Sequence, residues 1–256
     1  MAMIDAEIKE AVRKKWDASS ATFDANPGHG IGTQDEKEAW KRELIRNLPK
    51  FPLDILDVGC GTGAMGLLFA EMGYHVTGVD LSEAMMENAR KKAAEQNLSI
   101  KLGNGDAEHL PFSDGSFDVV VNRHLLGSLP HPDIALKDWH RVLKNGGTVL
   151  IVYGTSEDKS FSTRVKHGLS NGIAKILDRT RHNNLDKKFQ SQLPFNGRNG
   201  GIPKEKLGSF LERAGFSGIS FQNITYIREM QKFQQPWYRR FVPTQCYYII
   251  SATRQD

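Results

Sequence analysis

Largely apolar runs alternate with longer stretches of helical periodicity through the first two-thirds of the chain. The runs at 53–58, 75–80, 117–122 and 148–153 are each bounded by turn residues, the pattern of buried strands. A shorter run at 99–102 completes a set of five. Between them, apolar positions three and four apart predict helices over 64–72, 83–96 and 134–143, with Ser82 as N-cap of the second. Further on, 203–214 reads as a helix, and 216–227 and 246–253 as strands that can form an antiparallel edge. Strand–helix alternation of this kind predicts an α/β fold, with a doubly wound, mostly parallel seven-stranded sheet. Four segments follow: an N-terminal helical arm or cap over 1–48, the first half of the sheet over 49–156, a lid-like helical insertion over 157–200, and the second half of the same domain over 201–256.

Composition changes this picture little. A chain of 256 residues can bury a real core, and its net charge of +4 is too mild to argue for nucleic acid. The two cysteines, Cys60 and Cys246, make neither a disulfide framework nor a metal-ligand cluster, so no metal is expected. No apolar run approaches a membrane span and the first residues are polar and acidic, so the expectation is a cytoplasmic protein with no membrane partner. Oligomeric state cannot be read from the sequence.

The candidate chemistry lies at Leu56-Asp57-Val58-Gly59-Cys60-Gly61-Thr62-Gly63, a strand end carrying a carboxylate, then a three-glycine turn, then an apolar helix. Glycines there let backbone turn sharply and lie against a ligand. The spacing Gly59-x-Gly61-x-x-Ala64, with Asp80 about twenty residues on, also satisfies a dinucleotide fingerprint. Asp57 separates the two readings. A pyrophosphate over the turn would be repelled by that carboxylate, whereas the sulfonium and α-ammonium of S-adenosylmethionine would be attracted. A second acid, in Gly105-Asp106-Ala107-Glu108-His109-Leu110-Pro111-Phe112, stands beside an apolar wall suited to an adenine edge.

Together with Phe117-Asp118-Val119-Val120-Val121 and Arg141-Val142-Leu143-Lys144-Asn145-Gly146-Gly147, these motifs resemble class I S-adenosylmethionine-dependent methyltransferases, strongly over 50–153 and more loosely in the flanks. The resemblance implies a Rossmann-like methyltransferase fold and S-adenosyl-L-methionine as cosubstrate, with S-adenosyl-L-homocysteine as product. It also implies roles. Gly59, Gly61 and Gly63 let backbone approach the methionine moiety, with Asp57 near its ammonium. Asp80 binds the ribose hydroxyls, Leu81 packs on adenine, Asp106 and the backbone of Ala107 read the adenine edge, and Asn122 lines the methionine end. Phe23 stands where family members often cover the ligand with an aromatic residue; packing of Trp16 and Phe23 against the core is the competing reading.

The run Asn122-Arg123-His124-Leu125-Leu126 leaves the fourth strand facing the presumed reaction chamber, which makes His124 either the candidate general base or a residue that orients a loop or contacts the acceptor without moving a proton, and Arg123 a partner for an acceptor carboxylate or for Asp118 or a neighbouring helix. His29 in the arm is a weaker candidate of the same kind as His124. Methyltransferases acting on exocyclic base amines carry an Asn/Asp-Pro-Pro-aromatic turn where this chain has Asn-Arg-His-Leu, so the segment looks more like small-molecule enzymes. The expected activity is therefore methyl transfer to O, N, S or C of a small-molecule acceptor by in-line displacement. An RNA or protein methyltransferase using the basic residues of the insertion is the alternative, and an NAD-dependent oxidoreductase the remote one. Charges in the insertion read more readily as a solvated face than as an anion-binding lining. The basic and aromatic residues of 231–243 read either as a base-stacking surface or as packing at the sheet edge, and nucleic acid is disfavoured as a partner.

Overall fold

A computed structural model describes residues 2–26, 28–48, 53–155, 161–177, 193 and 202–255. Seven strands, β1 (Asp54–Val58), β2 (His75–Asp80), β3 (Lys101–Asn104), β4 (Phe117–Arg123), β5 (Leu143–Thr155), β6 (Phe216–Asn223) and β7 (Cys246–Arg254), form one sheet in the order β3-β2-β1-β4-β5-β7-β6. The first five pair in parallel, and β7 runs antiparallel between β5 and β6. The helices are α1 (Ala2–Ser19), α2 (Gln34–Arg46), α3 (Ala64–Glu71), α4 (Glu83–Glu95), α5 (Pro132–Val142), α6 (Phe161–Leu177), α7 (Lys204–Arg213), α8 (Thr225–Phe233) and α9 (Trp237–Arg240).

Side-chain alternation along the strands divides the core in two. Leu56, Val58 and Val120 join Trp139 and Leu136 on one face, whereas Ile55, Val119 and Val121 join Trp40 and Phe69 on the other. This two-sided burial is what a parallel sheet between helical layers requires. Ser82 caps α4 as expected, its hydroxyl accepting from the Met85 N–H at 3.2 Å.

Several boundaries depart from the sequence expectation. The strand read over 216–227 stops at Asn223, and the chain turns into α8. Asn223 Oδ1 accepts from the Thr225 N–H at 2.8 Å, and Ile224, Ile227 and Gln231 are all buried, a helical spacing rather than an alternating one. β5 begins at Leu143, five residues ahead of the run read over 148–153 and before the Gly146-Gly147 turn; the ladder to β4 shifts register there. β3 sits two residues later than read, because Lys101–Asn104 is the stretch that pairs with Thr77–Asp80. Much of the insertion, including Arg179, Arg181, His182, Lys187 and Lys188, lies outside the described residues.

Candidate active site

β1 and β4 are neighbours although β2 and β3 intervene in sequence, so the strand order reverses between them. In open α/β sheets a crevice opens beyond the carboxyl ends of the strands at that point. A cavity of about 1100 Å³, part of it open to solvent, lies here. Its wall includes Asp57, Gly59, Gly61, Asp80, Leu81, Asp106 and Ala107 from the sheet, and Trp16, Phe23 and His29 from the arm.

The glycine turn takes the backbone conformation that its sequence requires. Gly59, Gly61 and Gly63 have φ of 67°, 52° and 80°. A Cβ on Gly59 would stand 2.9 Å from Leu125, while one on Gly61 would meet nothing and point into open space. Gly61 thus leaves bare backbone for a ligand. Gly63 does not line the cavity; it is the N-cap of α3, and a Cβ there would press on Ala89.

Three acids surround this turn. Asp57 is buried at the end of β1, where its Oδ2 accepts from the Gly66 N–H at 2.9 Å. Burial pushes its carboxyl up to about 7, against the pull of that N–H and of Arg123. Asp80 accepts from Gly61 N–H at 2.9 Å and Ser82 N–H at 2.8 Å, one on each oxygen, which ties β2 to the turn and leaves lone pairs on both oxygens. Burial raises its pKa as well.

Asp106 is not the free acid that the sequence suggests. Lys9, from α1, places its ammonium 2.7 Å from Asp106 and 2.6 Å from the buried Glu108. Burial alone would weaken the Lys9 ammonium, but these two carboxylates hold its pKa above the ordinary lysine value. Glu108 also accepts from the His131 N–H at 2.6 Å. Neither Lys9 nor Glu108 was singled out from sequence, since their pairing spans about a hundred residues and leaves no local pattern.

The arm is fastened at several more points. Ser82 donates to Asp17 at 2.6 Å, Thr62 donates to Asp24 at 2.6 Å, and Lys92 pairs with Asp24 at 2.8 Å. Trp16 meets Phe23 edge-on at 5.8 Å, and Phe23 lies 4.3 Å from the His29 ring. These aromatics therefore face the cavity as well as pinning the arm.

Beyond the glycine turn the cavity becomes cationic. Arg123 donates to the His29 carbonyl, and its Nη1 and His29 Nδ1 are both buried without a partner among the described residues. Arg228 stacks its guanidinium 4.8 Å from the Tyr247 ring and donates to Gln231 at 3.0 Å. Neither arginine forms an ion pair with a carboxylate among the described residues. Burial, followed by the charges of Arg123 and Arg228, pushes His29 down to about 4. His124 is exposed at the cavity wall, and the protein packed around it, followed by the charges of the same two arginines, lowers its pKa well below the usual histidine value. Its nitrogen Nε2 is 2.7 Å from the Tyr247 hydroxyl, the rings stack at 5.4 Å, and its φ is 65°. Tyr247 was not read as a site residue; its place opposite Gly154 in the β5–β7 ladder is a product of the topology.

Asn122 departs from its expected position. It does not line the cavity, but donates from Nδ2 to the Val58 carbonyl at 2.8 Å and so braces β4 against β1. Asp106, Glu108 and His109 could geometrically share a cation, but the Lys9 ammonium already sits on both acids.

Residues 56–151 match the family model described as a methyltransferase domain. A demethylmenaquinone methyltransferase from Staphylococcus aureus is 35% identical over 224 residues, covering 85% of this chain and 89% of its own length. The chain belongs to the class I S-adenosylmethionine-dependent methyltransferases. The Staphylococcus haemolyticus demethylmenaquinone methyltransferase is 28% identical to this methyltransferase over 222 residues, 85% of this chain and 90% of the relative. Among solved structures, phosphoethanolamine N-methyltransferase 2 of Haemonchus contortus superposes with a TM-score of 0.68 at 18% identity, covering 97% of this chain and 60% of that longer one. The [4+2]-cyclase SpnF superposes at 0.66 and 19% identity, covering 95% of each chain. At such identities the likeness shows the fold of the methyltransferase and not its acceptor. Its cosubstrate is S-adenosylmethionine, which leaves the nicotinamide reading without support.

Proposed function

We propose that this methyltransferase acts on a small-molecule acceptor, taken up at the end of the cavity formed by His29, Arg123 and His124 and backed by Tyr247. The position of the N-terminal arm over the cavity is the observation that carries the reading. The arm's aromatics form one wall of the chamber, which suits a compact ligand better than a polymer. The staphylococcal relatives, named for a demethylmenaquinone, agree with an acceptor of that size.

On this reading the bound cosubstrate supplies a methyl group activated by a sulfonium, and the chain supplies position and dryness. Gly59 and Gly61 offer backbone to the methionine moiety, with Asp57 near its ammonium. Asp80 accepts from the ribose hydroxyls, Leu81 covers adenine, and Asp106 with the Ala107 N–H reads the adenine edge. Gly63 and Asn122 act indirectly, by starting α3 and by bracing β4. Phe23, with Trp16, excludes water from above.

The acceptor end is polar and positively charged. Arg123 Nη1 and His29 Nδ1 are buried without a partner among the described residues, and buried polar atoms of this kind call for a ligand. Arg123 would hold an oxygen of the acceptor, best of all an ionised one. His124 has its Nε2 held 2.7 Å from the Tyr247 hydroxyl, and its pKa is lowered by the surrounding protein and by Arg123 and Arg228. We therefore assign it to orienting the acceptor rather than to storing its proton.

The test follows label from methyl-labelled S-adenosylmethionine into cell extract, separated into low-mass, RNA and protein fractions. Label in the low-mass pool supports the reading and identifies the acceptor and its methylated atom. Label confined to RNA or protein overturns it.

A further inference from the structure

The aromatic and basic stretch that the sequence left between two readings is neither a sealed sheet edge nor part of the cavity. In α8, α9 and the residues between them, only Tyr238 of the large aromatics turns inward. Phe233 is 75% exposed, Trp237 65% and Phe241 37%. α9 packs against α6, where Thr163 and Ser170 are buried while Val165 and Leu169 are 42% and 59% exposed. Large apolar side chains on neighbouring elements mark an interaction surface.

The charges are equally one-sided. Leaving aside Arg228, which faces the cavity, the chain from Thr225 to Val242 carries Lys232, Arg239 and Arg240 against the single acid Glu229, and α6 contains no acid at all. Lys166 on α6 and Arg240 on α9 are exposed beside the apolar residues.

We propose that this surface docks the protein on an anionic lipid bilayer, with Trp237 and Phe233 entering the headgroup boundary and the basic side chains meeting lipid phosphates. Tryptophan and phenylalanine next to lysine and arginine are the composition that lies in such an interface. A second copy of the chain would bring the same positive charge and be repelled. An RNA strand would use the aromatic rings but gain nothing from Val165 and Leu169, which have no face to stack on a base. No helix among the described residues is long and apolar enough to cross a membrane, and surface docking needs none. The inference concerns a face outside the cavity and stands whether or not the acceptor is a small molecule.

The experiment sediments the full chain with phosphatidylcholine vesicles, with and without phosphatidylglycerol, at low and high salt. Partition onto the anionic vesicles is expected to be roughly a hundredfold tighter than onto the neutral ones, and to fall with salt. The double variant Phe233→Ser, Trp237→Ser should lose at least about tenfold of that partition while binding S-adenosylhomocysteine normally, which shows that it is folded. Brominated lipid should quench wild-type tryptophan fluorescence, and Trp237→Phe should remove most of the quenching. No partition onto anionic vesicles, or partition and quenching indifferent to these substitutions, overturns the proposal. So does binding of an oligouridylate that the double variant loses while vesicles are ignored by both proteins.

Discussion

Asp57→Asn is the most informative single substitution. The buried carboxylate keeps its hydrogen bond from Gly66 N–H in either form, since an asparagine oxygen can accept it, so shape and contact are nearly preserved. What changes is charge. Burial raises the carboxyl from 3.8 to about 7 in the folded chain. Between those values the folded protein holds a proton that the unfolded chain releases, so stability falls as pH rises through this window. At ~1.4 kcal/mol per pH interval the loss reaches ~4 kcal/mol by pH 7, an upper figure because water and neighbouring groups relax around a real buried charge. The asparagine variant has no such proton. Its stability relative to wild type should therefore climb from about pH 4 to about pH 7 and level off above, whatever constant offset the amide itself introduces.

Urea unfolding of both proteins at a series of pH values measures that difference directly. Cosubstrate binding should move the opposite way. Calorimetry on the variant should show S-adenosylmethionine affinity weakened by ~1.5–3 kcal/mol, the worth of a charge-assisted contact. Wild-type affinity should rise with pH up to about 7 as Asp57 ionises, and the variant's should stay level. A stability difference that is flat from pH 4 to pH 8 refutes the burial argument. Unchanged affinity refutes the placement of a cation beside Asp57.

Three further substitutions separate the remaining parts. Gly61→Ala places a methyl group in open space at a φ of 52°, so it should cost ~1–2 kcal/mol of stability by urea unfolding while obstructing ligand approach enough to abolish measurable S-adenosylhomocysteine binding. Lys9→Met leaves the buried Glu108 without its ammonium partner, and should destabilise the fold by ~3–5 kcal/mol in the same assay; the added Glu108→Gln should recover part of the loss. His124 sits at a φ of 65°, so His124→Gly should be more stable than His124→Ala by ~1 kcal/mol in thermal unfolding, and both should bind S-adenosylhomocysteine as wild type does.

The sequence disclosed what is local and left out what depends on distant segments meeting. The glycine turn was legible because Asp57, three glycines and an apolar helix occur together, and a left-handed backbone needs just those residues. Both acids that follow, Asp80 and Asp106, sit where strand ends place them. The end of β6 was misread because Ile224 and Ile227 look like a continuing strand unless Gln231 is counted with them; a buried glutamine completes the helical spacing, and a hydrophobicity pattern gives it no weight. Asn122 was read as a wall of the methionine end for a related reason. Its position at a strand end is right for a ligand contact, but alternation turns it toward β1, where the Val58 carbonyl takes its amide.

The contacts that close the cavity were beyond reach for a different reason. Lys9 with Asp106, Asp17 with Ser82, Asp24 with Thr62 and Tyr247 with His124 join residues between 38 and 123 positions apart, and each half alone resembles an ordinary surface or core residue. These contacts give the site its character. The arm adds its own carboxylates and a lysine to the acids of the turn, so the ion pairs that hold it closed share partners with the proposed ligand contacts. On the proposed reading, an adenine amine at Asp106 would compete with Lys9 for the same carboxylate. A site built this way couples ligand entry to arm position through one carboxylate, and that coupling is why Lys9, which no motif announces, should influence both stability and binding.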